Sequence, residues 1–377
     1  MAQGSSARPL LAALEQVLDG RAPALLPVPA GADRKSTLTA LRVGEAIDDN
    51  IALVATTSGT TGAPKGALLT AAALRASATA THDRLGGPGR WLLALPAYHI
   101  AGVQVLVRSL LAGTAPVELD VSDGFNVNEL PSAVKELGHG RRYTALVATQ
   151  LAKALTDPAA AAALAELDAV LIGGGPAPRP LLDAAASACI TAVRTYGMSE
   201  TAGGCVYDGV PLDGVRLRVA DDGRIVIGGP TLANGYRNPP DPDPFAEPGW
   251  FRTDDIGAVD DSGALRVLGR ADEAISTGGL TVLPQPVEAA LRTHPAVADC
   301  AVFALADDRL GQRVAAAIVV ADGHAPPSLE TLRAHLMQTL DRTAAPRELH
   351  IVDALPMRGI GKVDRQALAQ HAEKRLR

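Results

Sequence analysis

The sequence predicts an α/β protein with a large N-terminal domain of helix-covered β-sheets and a small α+β C-terminal domain. Its 377 residues, 47% of them hydrophobic, are enough for more than one hydrophobic core. Between residues 51 and about 205, short apolar runs alternate with helical patterns, which is typical of a largely parallel sheet covered by helices. The C-terminal part of the chain pairs a few helices with a few strands, which indicates the smaller domain.

The N-terminal part begins with a short predicted helix, residues 10–18, and a proline-rich connection. The apolar residues 51–55 predict a buried strand. After the loop that follows, the Ala- and Leu-rich residues 68–80 predict a helix, so this part of the chain is a predicted strand–loop–helix unit. Further strands are predicted at residues 91–95, 145–147 and 169–172, and further helices at residues 103–111 and 159–167.

The chain changes character after about residue 205. Two short runs, residues 215–219 and 224–227, flank Asp221-Asp222-Gly223 and predict a β-hairpin, and the proline-rich residues 238–244 predict an irregular loop. In the C-terminal part, helices are predicted at residues 287–293 and 328–340, and strands at residues 297–304, 314–320 and near 349. The shift near Gly269-Arg270-Ala271-Asp272 divides the predicted domains into residues 1–270 and 271–377.

Composition and charge argue against several classes of function. The formal net charge is −6 and no basic run occurs, which argues against a nucleic-acid partner. No apolar stretch reaches the roughly 20 residues that span a bilayer, and the N-terminus lacks the pattern of a signal peptide. The three cysteines, Cys189, Cys205 and Cys300, are far apart and lack metal-ligand spacing, so a reducing cytoplasmic location is expected.

A glycine-rich loop at residues 56–66, TTSGTTGAPKG, points to phosphate binding. Gly59 and Gly62 let the backbone N–H groups approach a ligand, and Lys65 adds a positive charge. The loop is not a Walker A motif, because no Gly-Lys-Ser/Thr sequence occurs. A flexible linker is the alternative, but a linker needs neither a buried strand before it nor a lysine near its end. The hydroxyl donors of the loop are Thr57, Ser58, Thr60 and Thr61.

Four other segments are weak signals when taken separately. Residues 196–201, YGMSET, contain Glu200, an oxygen ligand suited to Mg²⁺, although a polar turn is the commoner explanation. Residues 249–257, GWFRTDDIG, offer paired carboxylates that suit the hydroxyls of a ribose. The remaining two segments are GRAD at residues 269–272 and GKVDR at residues 361–365.

Together and in this order, the five segments resemble the acyl-adenylate-forming enzymes, and the resemblance runs from about residue 51 to residue 365. It implies a small mobile C-terminal domain and an active site between the two domains. It also implies that a carboxylate attacks the α-phosphate of ATP to give an acyl-AMP and pyrophosphate, after which the thiol of coenzyme A displaces AMP. The region ahead of the phosphate loop is shorter than in typical members, so homo-oligomer contacts are one expected compensation.

The resemblance also implies roles for individual residues. The phosphate loop, including Thr57, Gly59, Gly62 and Lys65, holds the β- and γ-phosphates. In the C-terminal domain, Lys362 contacts the carboxylate and the α-phosphate, Asp272 is the hinge, and Gly278 and Gly279 border the path of coenzyme A. The other nucleotide contacts are Gly173, Gly174, Gly175, Tyr196, Gly197, Ser199, Asp255 and Arg270, with Glu200 as the Mg²⁺ ligand.

The chemistry suits these roles, because attack on the α-phosphate joins two anions. Lys65 and Mg²⁺ neutralise the departing pyrophosphate, and Lys362 neutralises the point of attack. A solvated surface lysine is the alternative for Lys362. One local departure from the family pattern is Asp254, which stands where a glycine is usual.

Within this family, residues 95–102, 146–151 and 275–279 look most like the o-succinylbenzoate–CoA ligases of menaquinone biosynthesis, in their short actinobacterial form. Arg108, in an otherwise mostly apolar helix, matches the arginine expected to bind the second carboxylate of that acid. Its alternative is a surface position with the stem on the core. His99 and Gln150 complete the predicted acid site, and a buried core histidine is the alternative for His99.

Three competing functions remain at this stage. The enzyme activates another carboxylic acid, or it loads the thiol of a carrier protein, although no carrier domain is evident in the chain. The third possibility is a nucleotide-binding homologue that has lost catalysis. The joint presence of Lys65, Glu200, Asp255, Arg270 and Lys362 argues against the third.

Overall fold

The computed structural model describes residues 7–29, 34–57, 64–357 and 363–375. The chain forms two compact units. The first unit contains the residues up to 218 together with residues 226–252, and the second contains residues 219–225 and 253–377. The chain passes between the two units at residues 218/219, 225/226 and 252/253, which lie within strands and not in a linker. The domain boundary predicted at residue 270 stays a prediction.

Helices begin near most of the predicted positions, and none in the described parts of the chain has the length and hydrophobicity needed to cross a bilayer. The helices at residues 34–40, 130–136, 148–155, 179–187 and 365–375 were not predicted, and the helix predicted over residues 328–340 ends at residue 336. The helices are α1 (Arg8–Leu18), α2 (Arg34–Ala40), α3 (Ala71–Arg84), α4 (Ile100–Leu111), α5 (Leu130–Glu136), α6 (Ala148–Leu155), α7 (Pro158–Ala165), α8 (Arg179–Ser187), α9 (Pro284–Leu291), α10 (Leu329–Leu336) and α11 (Arg365–Arg375).

A strand forms at each predicted apolar run, but the strand predicted at residues 91–95 ends at residue 93, the one predicted at residues 215–219 begins at residue 216, and several other strands are longer than predicted. In the first part of the chain they are β1 (Ile51–Thr57), β2 (Lys65–Thr70), β3 (Arg90–Leu93), β4 (Val117–Glu118), β5 (Arg142–Val147), β6 (Ala169–Gly173), β7 (Ala192–Met198), β8 (Gly203–Tyr207) and β9 (Val210–Pro211). They continue with β10 (Arg216–Val219), β11 (Arg224–Gly228), β12 (Trp250–Val259), β13 (Leu265–Arg270), β14 (Ile275–Thr277), β15 (Leu280–Val282), β16 (Val297–Asp307), β17 (Gly311–Val320) and β18 (Glu348–Ile351).

The main sheet of the first unit has the strand order β4-β3-β5-β6-β7-β8-β9. Its strands are parallel from β4 to β7, and β8 and β9 continue it in antiparallel fashion. The prediction of a largely parallel, helix-covered sheet is confirmed. Strand β6 has a continuous apolar run because helices cover parallel sheets on both faces. On one face, helices α5 to α8 pack against the sheet through a core that includes Leu92, Leu130, Leu146, Leu164 and Ile172.

The predicted strand–loop–helix unit is wrong in its last part. Strand β1 pairs antiparallel with β2, with Thr57 opposite Lys65, so a hairpin precedes the helix. Leu69, which was assigned to the helix, is fully buried in β2. Helix α3 begins only after Thr70, whose hydroxyl caps it by accepting a hydrogen bond from Ala73 N at 3.0 Å. Pairing with β1 therefore overrides the helical propensity of the Ala- and Leu-rich sequence.

The second unit is a small α+β structure, as predicted. Its main sheet has the order β15-β14-β17-β16, and β18 pairs with β17 in parallel. Strands β16 and β17 form a long antiparallel pair from Val297 opposite Val320 to Asp307 opposite Gly311. Apolar side chains of α9 and α10 pack with Val302 and Ile318, and those of α11 pack with Phe303. The alternation along β16 thus gives the sheet two buried faces.

The cap at Thr70 generates a stability prediction. Thr70→Ala removes the acceptor for Ala73 N and is expected to lower the free energy of unfolding by about 1 kcal/mol, whereas Thr70→Ser keeps the acceptor and most of the stability. Urea unfolding followed by circular dichroism measures the difference. Equal stabilities of the Ala and Ser variants would contradict the assignment of Thr70 as the cap.

Candidate active site

Several predicted site residues follow the carboxyl ends of neighbouring strands in the main sheet. Gly173 ends β6, Ser199 and Glu200 follow the end of β7, and His99 lies between β3 and α4. Because these strands are parallel, their carboxyl ends lie at one edge of the sheet, where open α/β sheets bind ligands. Tyr196, near the end of β7, is half-buried.

At this edge, Lys65, Tyr236 and Glu200 converge although they are far apart in the sequence. Lys65 Nζ lies 5.6 Å from the centroid of the Tyr236 ring. The Tyr236 hydroxyl donates a hydrogen bond to Glu200 Oε1 at 2.5 Å. Thr57 lies opposite Lys65 at the end of the β1–β2 hairpin. The structure therefore brings together the ammonium of Lys65, the phenol of Tyr236 and the carboxylate of Glu200. Lys65 and Glu200 come from two predicted segments, and Tyr236 comes from a segment that was not predicted.

Glu200 is held in place by backbone contacts as well as by Tyr236. It lies in a short 3₁₀ turn, Ser199–Thr201, and is only 7% exposed. Its carbonyl oxygen accepts a hydrogen bond from Ala233 N at 2.9 Å, and the Thr201 hydroxyl accepts one from Met198 N at 3.0 Å. A buried carboxylate with fixed backbone is a suitable ligand for a hard cation.

Sequence reasoning missed Tyr236 and Asn238. Asn238 Nδ2 donates to Pro64 O at 2.7 Å, and its Oδ1 accepts from Gly66 N at 3.3 Å, so one side chain fixes the backbone on both sides of Lys65. Only 3% of the residues are aromatic, so a tyrosine just before a proline-rich loop was a signal that could have been noticed. Nothing in the local sequence indicates its partner Glu200.

The predicted glycines of this edge have packing reasons of their own. A Cβ on Gly197 would lie 2.1 Å from Gly203 O in the paired strand, and one on Gly173 would lie 2.5 Å from Thr195 Oγ1. Gly174 has a φ of +79°, which favours glycine, and Gly175 is exposed. The close contacts at Gly173 and Gly197 and the positive φ of Gly174 favour glycine whether or not a nucleotide binds, so the role of Gly173, Gly174 and Gly175 in contacting adenine stays a prediction.

Gln150 connects two strand ends. Its Oε1 accepts a hydrogen bond from Val147 N and its Nε2 donates one to Ala94 O, both at 2.9 Å. The amide of this mostly buried side chain thus links the ends of β3 and β5. His99 is the N-cap residue of α4, and its ring lies 4.6 Å from that of Tyr98. The binding of the acid by Gln150 and His99 stays a prediction.

Arg108 is not brought to the other predicted site residues. It lies nine residues after His99 on α4, about 13 Å further along the helix axis. Its side chain is buried, and the residue is 3% exposed. Tyr207, its hydrogen-bond partner at 3.4 Å, is at the end of β8 remote from Gly203 and the site. The binding of a substrate carboxylate by Arg108 stays a prediction, whereas the alternative of a surface position is wrong, because the residue is buried.

The surroundings of Arg108 form a buried polar cluster. Its guanidinium lies 5.0 Å from the centroid of the Trp91 ring, and Trp91 Nε1 donates a hydrogen bond to His82 Nε2 at 3.2 Å. Burial and the nearby charge of Arg108 lower the pKa of His82 to about 4. His82 is therefore neutral at pH 7, which keeps Nε2 available as an acceptor for Trp91.

In the second unit, Arg270 faces three carboxylates. Its Nε and Nη2 bind the two oxygens of Asp272 at 2.8 and 2.9 Å, and its Nη1 lies 3.4 Å from Asp255 Oδ1. Asp254, which stands where a glycine is usual, lies 3.6 Å away. Burial lowers the pKa of Arg270, but the carboxylates, first that of Asp272, outweigh it and raise the pKa. The structure thus brings together the residues predicted for the ribose and the hinge.

Gly278 and Gly279 form the two-residue turn between β14 and β15. Their φ angles are +58° and +81°, a combination typical of a type I′ turn, in which both central residues have positive φ. The turn explains both glycines without a ligand, so their place beside coenzyme A stays a prediction. The predicted residues Ser58, Gly59, Thr60, Thr61, Gly62 and Lys362 lie outside the described residues.

Comparison with protein families finds two matches that cover most of the chain. Residues 9–237 match the AMP-binding enzyme family, and residues 286–362 match the AMP-binding enzyme C-terminal domain. The first range contains the predicted segments at residues 56–66 and 196–201, and the second range ends at Lys362.

Among curated proteins, the chain is 75% identical over 369 residues to a probable 2-succinylbenzoate–CoA ligase of Mycobacterium tuberculosis, covering 97% of this chain and 96% of the relative. It is 34% identical over 344 residues to 2-succinylbenzoate–CoA ligase of Geobacillus kaustophilus, covering 85% and 69%. Among solved structures, it resembles o-succinylbenzoate CoA synthetase from Bacillus subtilis in complex with the acyl-adenylate intermediate, with a TM-score of 0.73, 29% identity and coverage of 84% and 69%.

The neutral His82 predicts a pH dependence of stability. Its folded pKa of about 4 lies below the ordinary value of 6.5, so the unfolded chain binds a proton that the folded chain does not. As the pH falls from about 6.5 to about 4, the free energy of unfolding is expected to decrease by about 1–3 kcal/mol through this group. His82→Gln should flatten this part of the profile, measured by urea unfolding at a series of pH values.

The exposed His139 provides the matched control. His139→Gln should leave the slope between these pH values unchanged. A His82→Gln profile parallel to that of the parent protein would show that His82 does not cause the loss.

Proposed function

Because this chain belongs to the AMP-binding enzyme family, we propose that the sheet edge carrying Lys65, Tyr236 and Glu200 binds ATP and that the enzyme activates 2-succinylbenzoate for transfer to coenzyme A. The observation that carries this proposal is the convergence of those three side chains at the carboxyl ends of parallel strands. The chain's 75% identity over nearly its full length to a probable 2-succinylbenzoate–CoA ligase supports the choice of acid.

The reaction has two steps. A carboxylate oxygen of 2-succinylbenzoate attacks the α-phosphorus of ATP, and the bond from that phosphorus to the bridging oxygen breaks, which releases pyrophosphate. The sulfur of coenzyme A then attacks the acyl carbon of the mixed anhydride, and the bond to AMP breaks. The thiol proton is released, and the products are the thioester and AMP.

Electrostatics determine the first step, since a carboxylate has to approach a polyphosphate. Lys65 reduces this repulsion by placing a positive charge beside the departing phosphates. Tyr236 positions both charged groups, because its ring faces the ammonium and its hydroxyl binds the carboxylate of Glu200. Asn238 holds the backbone on either side of Lys65.

Glu200 fits a Mg²⁺ ion that takes most of its ligands from the phosphates and water. The described residues contain no group of three His, Cys, Asp or Glu side chains that would hold a metal by themselves, and a substrate-bridging Mg²⁺ does not need one. When bound, Mg²⁺ would neutralise charge on the pyrophosphate. This chain contributes the buried, hydrogen-bonded carboxylate that orients it.

The remaining roles are proposed from the family resemblance. Lys362 contacts the reacting carboxylate and the α-phosphate, and Asp255 and Arg270 hold the ribose hydroxyls. Their mutual contact of 3.4 Å supports this pairing, since a diol can bind a carboxylate and a guanidinium together. Ser199 and the backbone near Gly174 contact the nucleotide, and Gly278 and Gly279 border coenzyme A.

A cytoplasmic location and the oligomeric state also belong to the proposal. Cys189, Cys205 and Cys300 form no disulfide, as expected of a protein from a reducing compartment. A homo-oligomer is the expected oligomeric state. Gel filtration with light scattering measures that state directly.

An acid panel tests the proposed function. With ATP, Mg²⁺ and coenzyme A, the enzyme is expected to form AMP and a thioester with 2-succinylbenzoate and little product with benzoate or a fatty acid. Lys362→Ala should slow adenylation by about 100- to 1,000-fold, because it removes a charge at the point of attack. The same variant should still convert a supplied acyl-adenylate to the thioester.

Two results would contradict parts of this proposal. Turnover with benzoate but not with 2-succinylbenzoate would exclude 2-succinylbenzoate as the substrate. It would still agree with the two-step ligase reaction. Equal damage to both steps in Lys362→Ala would exclude its assignment to adenylation alone.

Tyr236 generates a separate prediction about Mg²⁺. Tyr236→Phe keeps the ring beside Lys65 but removes the hydroxyl that binds Glu200. The Mg²⁺ concentration that gives half-maximal adenylation should rise by about 10- to 100-fold, since outer contacts of a metal ligand tune its affinity. Steady-state rates at saturating ATP and varied Mg²⁺ measure this change.

Tyr143→Phe is the control for this prediction. Tyr143 is fully buried, and its hydroxyl donates to the carbonyl oxygens of Leu85 and Gly87. This variant should lose stability without a change in Mg²⁺ dependence. If both tyrosine variants respond alike to Mg²⁺, the hydroxyl of Tyr236 has no specific effect on the ion.

A further inference from the structure

Arg365 lies beside the catalytic lysine in sequence and at the centre of an ionic network in the second unit. It is the first residue of α11 and follows Lys362 by three positions, so their Cα atoms are at most about 11 Å apart. The preceding residue, Asp364, caps this helix, because its Oδ1 accepts a hydrogen bond from Ala367 N at 2.9 Å. The start of α11 is thus a defined position just after Lys362.

Described residues also close the base of the segment that contains Lys362. Met357 and Val363 form an antiparallel β-bridge across it. Asp364 N donates a hydrogen bond to Pro356 O at 2.8 Å on the same base. Whatever fixes the first turn of α11 therefore also fixes where the segment bearing Lys362 begins and ends.

The guanidinium of Arg365 makes three contacts with three different elements. Its Nη2 binds Glu288 Oε1 of α9 at 2.7 Å, and its Nη1 lies 3.3 Å from Glu273 Oε1. Its Nε donates to Val302 O of β16 at 3.0 Å. Arginine suits this position because its planar donors can bind several acceptors at fixed angles, which a lysine ammonium cannot match.

Glu288 fixes the position of the Arg365 guanidinium in this network. It is 4% exposed, and its Oε1 also accepts a hydrogen bond from Val302 N at 2.8 Å. A buried carboxylate is costly without a cation, so Glu288 and Arg365 hold each other in one arrangement. The packing of α11 on the sheet has a second source, since Leu368 and Ala372 are buried there.

Glu273 connects the network to the predicted hinge. It belongs to the 3₁₀ turn Ala271–Glu273, here called the Asp272 turn, and directly follows Asp272. Gln285 Nε2 donates a second hydrogen bond to its carboxylate, through Oε2. On the other side of the turn, Asp272 is bound by Arg270. Two adjacent acidic residues are thus each held by a different arginine.

We propose that Arg365 is a positioning residue for Lys362, which it acts on by tying the base of the lysine segment to the Asp272 turn. This inference rests on the proposed function, because it assigns Arg365 an effect on adenylation. A displacement of the Asp272 turn is then transmitted through Glu273 and Arg365 to the first turn of α11. Adenylation is the sensitive step, since a displacement of about 1 Å in a reacting group can cost about 100-fold in rate.

The test compares variants of the full-length enzyme in the two half-reactions. Glu273→Gln removes the charge that pairs Arg365 with the Asp272 turn and also alters the contact with Gln285, whereas Arg365→Gln removes all three contacts of the guanidinium. Both are expected to lower kcat for adenylation by about 10- to 100-fold with little change in the KM for ATP. Neither should slow thioester formation from a supplied acyl-adenylate. The double variant should be no slower than Arg365→Gln, because both changes break the same connection.

Arg313 is a matched control within the same unit. Its side chain is 22% exposed, against 20% for Arg365, and it also pairs with a glutamate, Glu348, at 2.9 Å. Arg313→Gln should reduce thermal stability to a similar extent and leave both half-reactions unchanged. A loss of adenylation rate without a loss of thioester-formation rate is not expected from an ion pair that only stabilises the fold.

Three results would overturn the proposal: equal losses in the two half-reactions, full adenylation activity in Glu273→Gln, or the same split in Arg313→Gln. If Arg365→Gln does not fold, Glu273→Gln decides alone, since its side chain is more exposed and Glu288 keeps its partner. Failure of the proposed function is distinguishable, because the parent enzyme would then make no acyl-adenylate from 2-succinylbenzoate.

Discussion

The contact of Tyr236 with both Lys65 and Glu200 is the interaction on which the proposed nucleotide site of the first unit depends. It joins the β1–β2 hairpin to the turn after β7, and Asn238, two residues further on, holds the hairpin by its backbone. A lysine and a carboxylate that approached each other without a spacer would form an ion pair and lose their availability to a ligand. The phenol keeps them apart while fixing both, and the parallel strands supply a rigid base for the arrangement.

Much of the fold could be predicted because local patterns and tertiary packing agree. The continuous apolar run of β6 and the paired runs of β16 and β17 are both explained by burial on two faces. The hairpin of β1 and β2 could not be predicted, because residues 68–70 begin the Ala- and Leu-rich run assigned to the helix and join a strand only through their pairing with β1. Propensity is a weak guide wherever a neighbouring strand supplies the backbone hydrogen bonds.

The candidate site was predictable where its residues share a short segment, as Ser199 and Glu200 do. Tyr236 was not, since its partners lie 36 and 171 positions away and only folding brings them together. The burial of Arg108 could not be predicted either, because its neighbours in the core, Trp91 and Tyr207, lie 17 and 99 positions away. Sequence alone shows that such a charge needs a partner, and the identity of that partner depends on the tertiary structure.

The bidentate contact of Arg270 with Asp272 has a consequence for the proposed binding of the nucleotide. A ribose that engages this guanidinium competes with an internal carboxylate, so part of its binding free energy goes into loosening the backbone at residues 271–273. By thermodynamic reciprocity, any rearrangement that loosens that backbone also strengthens the hold on the sugar. If Arg270 holds the ribose as proposed, retention or release of AMP and the local geometry at position 272 are therefore two expressions of a single equilibrium.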